Sequence, residues 1–253
     1  MTALIIPVCD IRDRNFKDLV ELLSSIEAGG YLEECKVVIA FDSCEDDFTE
    51  KINEKFPWIL GIVNTGNRLQ FTKNTNNGIR FVLSQWPDED VFIVNQDTIL
   101  PHWSHLKQVI GEGISSPHTI GNDKLDDLNL HTGEREKVEK FAFYCVHISN
   151  SVLKKIGLLD GVFKRCFSDD DYVARASLAG FPVEMTNIKV YHKGSHIDTS
   201  QPGWESGSGC YNASTLGEEL QQYLTKWQCR VGHDEAMKWI LSNHVWQEEM
   251  KIC

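Results

Sequence analysis

The chain has 253 residues, 42% hydrophobic and 25% charged, which suits one large α/β domain with a sizeable core and excludes a disordered or low-complexity polypeptide. A formal net charge of -12 argues against a nucleic-acid backbone or an anionic membrane surface as the main partner, because both need clustered Lys and Arg. The longest apolar runs, such as Val91-Phe92-Ile93-Val94, are strand-sized and fall far short of the roughly 20 residues that span a bilayer.

Residues 2–8 (TALIIPV) form an apolar run ending at Val8 and read as a buried strand. Phe16, Leu19, Leu22, Leu23 and Ile26 then recur at helical spacing over residues 14–26, and Gly29-Gly30 ends that helix. Residues 36–41 (KVVIAF) predict a second buried strand, 46–56 a helix stopped by Pro57, and 59–63 a third strand. A helix over 72–83 and a fourth strand over 90–95 (DVFIVN) follow. These strands are unbroken apolar runs rather than alternating ones, the mark of a parallel sheet covered by helices on both faces.

The second half is less regular. Residues 115–137 are polar with several turn formers and predict a loop over the site. Residues 141–148 (FAFYCVHI) predict a strand, 149–156 a short helix ended by Gly157, and 169–179 a helix with acidic residues in its first turn. A strand over 183–190 precedes a Gly- and Ser-rich loop over 192–213. From Leu216 onward the chain reads as helical, with Leu220, Tyr223, Leu224 and Trp227 in an apolar stripe. The division expected is a domain over 1–215 and a C-terminal helical extension over 216–253, packed on it or on a second subunit.

The eight cysteines contain no CxxC pair, which argues against a zinc cluster. The N-terminal run carries no basic stretch and stops at Pro7, so it reads as a strand rather than an export signal. Reduced thiols and a cytoplasmic setting are therefore expected.

In sheets of this kind ligands bind at the carboxyl ends of the strands. Asp42 ends the second strand, where it can accept hydrogen bonds from a base or ribose, or form an Asx turn into Ser43. Asn64-Thr65-Gly66-Asn67-Arg68 can offer backbone and one cation to a nucleotide, or be an ordinary loop. Asn95-Gln96-Asp97-Thr98 follows the fourth strand directly; its Asp can hold Mg or Mn against a diphosphate, or the four residues can be a turn. Such a cation lets an acidic protein bind a nucleotide.

Ser168-Asp169-Asp170-Asp171 places three carboxylates together, which raises at least one pKa and suits a general base. Helix capping explains one or two of the three. His192 and His196, after the last strand, are candidates for metal or phosphate contact, and equally for structural or surface roles.

Taken together, these segments resemble the family 2 glycosyltransferases of the GT-A fold, especially bacterial and phage rhamnosyltransferase-like members, from Leu4 to about Trp227. Leu4 to Val8 is similar to the opening strand, and Val38 to Ser43 to the strand whose Asp contacts the nucleotide base. Asn64-Thr65-Gly66 and Asn76-Asn77-Gly78-Ile79 resemble the paired Asn/Gly segments. Val94 to Thr98 resembles the DxD-type segment, and Ile156 to Asp160 the stretch leading to the acceptor side. Ser168 to Arg175 resembles the ED-x-D-x-x-x-R pattern, Val190 to His196 the His-containing closing loop, and Tyr223 to Trp227 the KW-containing helix.

The resemblance implies a GT-A type α/β fold with a mostly parallel, Rossmann-like sheet flanked by helices. It implies an inverting, metal-assisted transfer from a UDP- or dTDP-linked sugar to a glycan hydroxyl. It makes Asp169 the base and Asp170 and Asp171 the acceptor-side acids. Asp97 becomes the Mn or Mg ligand with His192 (alternatively His196), and Pro7, Val8, Asp42, Asn67, Arg68, Asn95 and Gln96 become the donor contacts. Two rival readings are a sugar nucleotidyltransferase and a catalytically degenerate nucleotide-sugar or glycan-binding module. The first would need a Gly-rich basic loop where Val8-Cys9-Asp10-Ile11-Arg12-Asp13 stands. The second would fit Gly161 and Ser168, which replace Glu, but not the retained Asp97, Asp169 and Asp171.

Overall fold

The computed structural model describes residues 1–8, 13–41, 46–64, 70–120, 132–164, 166–193 and 213–253. Its first hundred residues alternate strand and helix as expected: β1 (Thr2–Val8), α1 (Asp13–Ala28), β2 (Cys35–Phe41), α2 (Asp46–Lys55), β3 (Gly61–Asn64), α3 (Gln70–Gln85) and β4 (Asp90–Val94). Strand β1 pairs in parallel with both β2 and β4, and β2 with β3. Alternate β1 side chains enter opposite cores. Ala3 and Ile5 join one apolar cluster with Ile79 and Val82 of α3; Leu4, Ile6 and Val8 join another with Leu19, Leu22, Leu23 and Ile26 of α1. Burial on both faces is why these strands carry no polar alternation. Helix α3 lies close on the sheet because Gly78 has no side chain; a Cβ there would stand 2.5 Å from Ile5 Cγ2.

Beyond β4 come β5 (Thr98–Ile99), α4 (Trp103–Leu106), β6 (Ile114–Ile120), β7 (Arg135–Lys137), β8 (Cys145–Ile148), α5 (Asn150–Ile156), α6 (Ser168–Leu178), β9 (Val183–His192), α7 (Ala213–Lys226) and α8 (His233–Asn243). The sheet runs β3-β2-β1-β4-β8-β6-β9-β5, with β7 also on β9. The chain thus has the mixed α/β architecture of the GT-A type. Its parallel part is β3-β2-β1-β4, and β8 joins β4 antiparallel.

One expectation is corrected. The 115–137 segment is not all loop: β6 lies inside the sheet, parallel to β9 and antiparallel to β8, and β7 pairs antiparallel with β9. Polar residues hide this strand because their hydroxyls are satisfied internally. Ser115 Oγ donates to Val109 O at 2.5 Å and Ser116 Oγ to Cys145 O at 3.0 Å. Pro117 sits at the register shift between Pro117 and His118, where a missing N–H is tolerated. Strand β8 is also shorter than the 141–148 run suggested, because Phe143 and Tyr144 form a turn.

Helices α7 and α8 share the larger core: Tyr223, Trp227, Ala236, Met237 and Ile240 are buried with Phe163, Phe167 and Tyr172. The Ile252 N–H donates to Ile156 O at 3.1 Å, and Ile252 O accepts from Leu158 N at 2.8 Å, a single parallel rung beside Gly157. Gly157 has φ +77°, and a Cβ there would lie 1.8 Å from Ile252 O, so only glycine fits. Cys35, Cys145, Cys166, Cys229 and Cys253 are free thiols. Among the described residues no helix is long and apolar enough to cross a membrane.

Candidate active site

The carboxyl ends of β1 and β2 meet the N-terminal part of α3. Pro7 and Val8 are buried at the end of β1. Asn74 of α3 fastens this corner, its Nδ2 donating to Val8 O at 3.3 Å and Ala40 O at 2.6 Å. Three fully buried oxygens close together in sequence, Thr72 Oγ1, Asn74 Oδ1 and Thr75 Oγ1, have no hydrogen-bond partner among the described residues. Asn76 clamps the stretch after Gly157: its Nδ2 donates to Leu159 O at 2.8 Å and its Oδ1 accepts from Leu159 N at 3.0 Å. Asp42, Asn67, Arg68 and His196 lie outside the described residues.

After β4 the chain turns through Asn95, Gln96 and Asp97 into β5. Asn95 N donates to Tyr144 O at 2.8 Å and Thr98 N to Asn95 O at 3.1 Å. Strand β5 then pairs antiparallel with the end of β9, setting Thr98 opposite His192. That register brings His192 Nε2 within 3.1 Å of Asp97 Oδ1, while Lys193 N donates to Asp97 O at 3.0 Å. Among the described residues no three His, Cys, Asp or Glu side chains form a metal cluster. The Asp97–His192 pair nevertheless fits a Mg- or Mn-type site, in which one or two protein ligands act with substrate phosphates and water.

Tyr144, which lay unremarked inside an apolar run, stacks on His192 with ring centroids 4.0 Å apart and stays 38% exposed. Burial, with the charges of Asp169 and then Asp97, raises its phenol pKa. The ring therefore stands within the field of both carboxylates. Only the three-dimensional pairing of β5 with β9 could have singled it out.

Helix α6 presents the acidic cluster in its first turn, after Phe167 in the left-handed conformation at φ 63°. A bulky residue there costs roughly 1–2 kcal/mol and is tolerated where the surroundings fix it. The three aspartates then differ sharply. Asp171 is fully buried: Arg175 Nε lies 2.9 Å from its Oδ2, and Lys226 Nζ and the Trp227 indole N–H reach its Oδ1 at 2.5 and 3.1 Å. Arg175 also donates to Ile156 O and Leu158 O, both at 2.9 Å. Asp171 thus ties α6 to the C-terminal segment and does not face an acceptor. Asp170 faces His233 at 3.4 Å.

Among the described residues no Lys, Arg or His forms an ion pair with Asp169, unlike Asp170 and Asp171. It accepts from Asp170 N at 3.0 Å. Burial and the adjacent Asp170 charge push its pKa up to about 6, against the lowering effect of backbone N–H groups including that of Phe143. A carboxyl poised there is mostly ionised near neutrality and still basic enough to take a proton.

No family model matches the sequence, and no match was found among curated proteins. Solved structures do resemble the fold. Residues 1–349 of TarS from S. aureus superpose with a TM-score of 0.61 at 15% identity, covering 95% of this chain and 69% of that one. The mannosyltransferase PcManGT from Pyrobaculum calidifontis, in complex with GDP-Man and Mn2+, gives 0.62 at 15% identity, covering 95% and 68%. GalNAc-T7 with UDP, GalNAc and Mn2+ gives 0.61 at 10% identity, covering 94% and 50%. At such identities the likeness defines the fold, which is the GT-A type.

Proposed function

We propose that this protein transfers a sugar from a nucleoside-diphosphate sugar to a hydroxyl of a glycan acceptor, with inversion at the anomeric carbon. The observation that carries this reading is the division of labour around Tyr144. Tyr144 stacks on His192 of the Asp97–His192 pair, and its phenol also feels the charge of Asp169, a carboxyl whose own pKa is raised by burial and by Asp170. TarS has been solved with UDP-GlcNAc, PcManGT with GDP-Man and Mn2+, and GalNAc-T7 with UDP, GalNAc and Mn2+, which supports a nucleotide-sugar donor.

In this reading Asp97 and His192 hold a divalent cation, which when bound supplies positive charge to the departing diphosphate. Pro7, Val8, Asn95 and Gln96 line the donor side; Asp42, Asn67 and Arg68, which the resemblance assigns to the donor as well, lie outside the described residues. Asp169 orients the acceptor hydroxyl and takes its proton as the acceptor oxygen bonds to the anomeric carbon. The bond from that carbon to the diphosphate oxygen breaks in the same displacement, and its electron pair leaves with the nucleoside diphosphate. Asp169 then returns the proton to solvent. The arrangement parallels inverting glycosidases, with a sugar hydroxyl in place of water.

The test is a thermal-shift panel of UDP, dTDP, GDP and CMP with and without Mn, followed by donor-hydrolysis and transfer assays. A ligand at a hundredfold excess over its dissociation constant stabilises by about 2.7 kcal/mol, which is readily seen. A shift with one nucleotide only in the presence of Mn, with sugar release lost in Asp169→Asn, is expected. Indifference to every nucleotide would remove the donor site from consideration.

A further inference from the structure

The carboxylates around α6 are neutralised unevenly, and most of the cations come from the C-terminal segment. Lys226 reaches both Asp160 Oδ2 at 2.8 Å and Asp171 Oδ1 at 2.5 Å. Arg175 completes the Asp171 pair. Asp170, whose backbone N–H is already donated to Asp169, meets a single imidazole: His233 Nε2 lies 3.4 Å from its Oδ2. His233 is the first residue of α8 and is held edge-on to Phe167, with ring centroids 5.1 Å apart. Phe167 in turn stacks on Tyr223 at 5.6 Å. A residue 64 positions downstream of Asp169 is thereby fixed beside that residue's nearest like charge.

We propose that His233 is a positioning residue for the transfer reaction: by pairing with Asp170, it offsets the charge beside Asp169 and keeps Asp169 available as the base. The proposal rests on the reading of Asp169 as that base. Asp170's charge raises the Asp169 pKa, so a His233 ring nitrogen held against the Asp170 carboxylate opposes that effect. The other charged or titratable groups packed here are Asp171 and Arg175 on α6, and Tyr223, Lys226 and Cys229 on and after α7. Asp234 beside His233 and Tyr144 before β8 complete the set. Asp234 is fully exposed and 3.9 Å from the other His233 nitrogen, so it competes weakly for the imidazolium.

The test is the pH profile of kcat/KM for the full chain, using the sugar donor of whichever nucleotide gives the Mn-dependent thermal shift, in H233Q, H233K, D170N, the double variant D170N/H233Q, and D169N. In H233Q the acid limb should move up by about half to one pH unit, giving a roughly two- to fivefold loss at pH 6 that vanishes by pH 8.5. H233K should restore the limb. D170N should move it down, and adding H233Q to D170N should change nothing further. An H233Q loss equal at every pH, or an H233Q effect that persists in full in the D170N background, would show a purely structural role and overturn the proposal. An unmoved limb in H233Q would do the same. D169N separates the two readings: turnover retained there ends the base assignment itself, whereas an inactive D169N beside an unshifted H233Q limb sinks only the role of His233.

Discussion

His192 and Asp97 stand 95 positions apart in the chain, and one short antiparallel pairing puts their side chains 3.1 Å from each other. Asp97 lies in a turn, and His192 is the last residue of the ten-residue strand β9. The contact exists because the turn after β4 leads straight into β5, and β5 lies against the last residues of β9.

The first prediction concerns this pair. Asp97→Ala and His192→Ala should each lower Mn-dependent nucleotide affinity by at least about 10-fold, since even residues that merely support metal ligands commonly cost that much. Calorimetric titration of nucleoside diphosphate with and without Mn measures it. Equal affinities for wild type and both variants would remove the pair from the metal site.

Asp169→Asn should reduce transfer by about 10²–10⁴-fold, the usual contribution of a general base, with donor affinity little changed. The same substitution should make the protein more stable at pH 7.5. Asp169 titrates at about 6 when folded against 3.8 in the reference state, so between those values the folded chain binds the proton more tightly. Stability therefore falls as pH rises through that window and stays lowered above it. A two-unit shift corresponds to about 2.7 kcal/mol, and partial exposure of the side chain reduces the gain expected in the variant to on the order of 1–2 kcal/mol. At pH 3.5 the gain should be absent. Denaturant melts at the two pH values check this.

Arg175→Met should destabilise the fold by about 3 kcal/mol or more. It leaves Asp171 buried with fewer charge partners and strips donors from the Ile156 and Leu158 carbonyls. Urea unfolding provides the measurement, and a loss below about 1 kcal/mol would contradict the picture of Arg175 as the pin of α6.

Gly157→Ala should cost more than the roughly 1 kcal/mol expected for a left-handed alanine alone, because its methyl group meets Ile252 O. The Ile252 rung should open, and hydrogen exchange at Leu158 and Ile252 should quicken together. If only one of the two amides responds, the rung is not the cooperative unit described.

The first half of the fold was legible because β1, β2 and β4 are buried on both faces and the helices between them carry apolar stripes. Asp97 and the acidic run at 169–171 could be found the same way, since polar residues at a strand end or helix start are conspicuous. What stayed hidden depends on distant partners. Ser115, Ser116 and Pro117 look like loop residues until their hydroxyls find Val109 and Cys145. The three aspartates are alike in a sequence and become different only when Arg175, Lys226 and Trp227 take Asp171, and His233 takes Asp170. Tyr144 is one aromatic among several until His192 stacks on it.

Strand β5 contributes only two residues to the sheet, Thr98 and Ile99, opposite His192 and Tyr191. A ladder so short has little cooperativity of its own, and such edges open before the rest of a sheet does. Whatever binds between Asp97 and His192 is thus also a rivet through the sheet margin. Ligand occupancy should be recorded in the slowed amide exchange of Thr98 and Lys193 while the β1–β2 core, already slow, registers nothing.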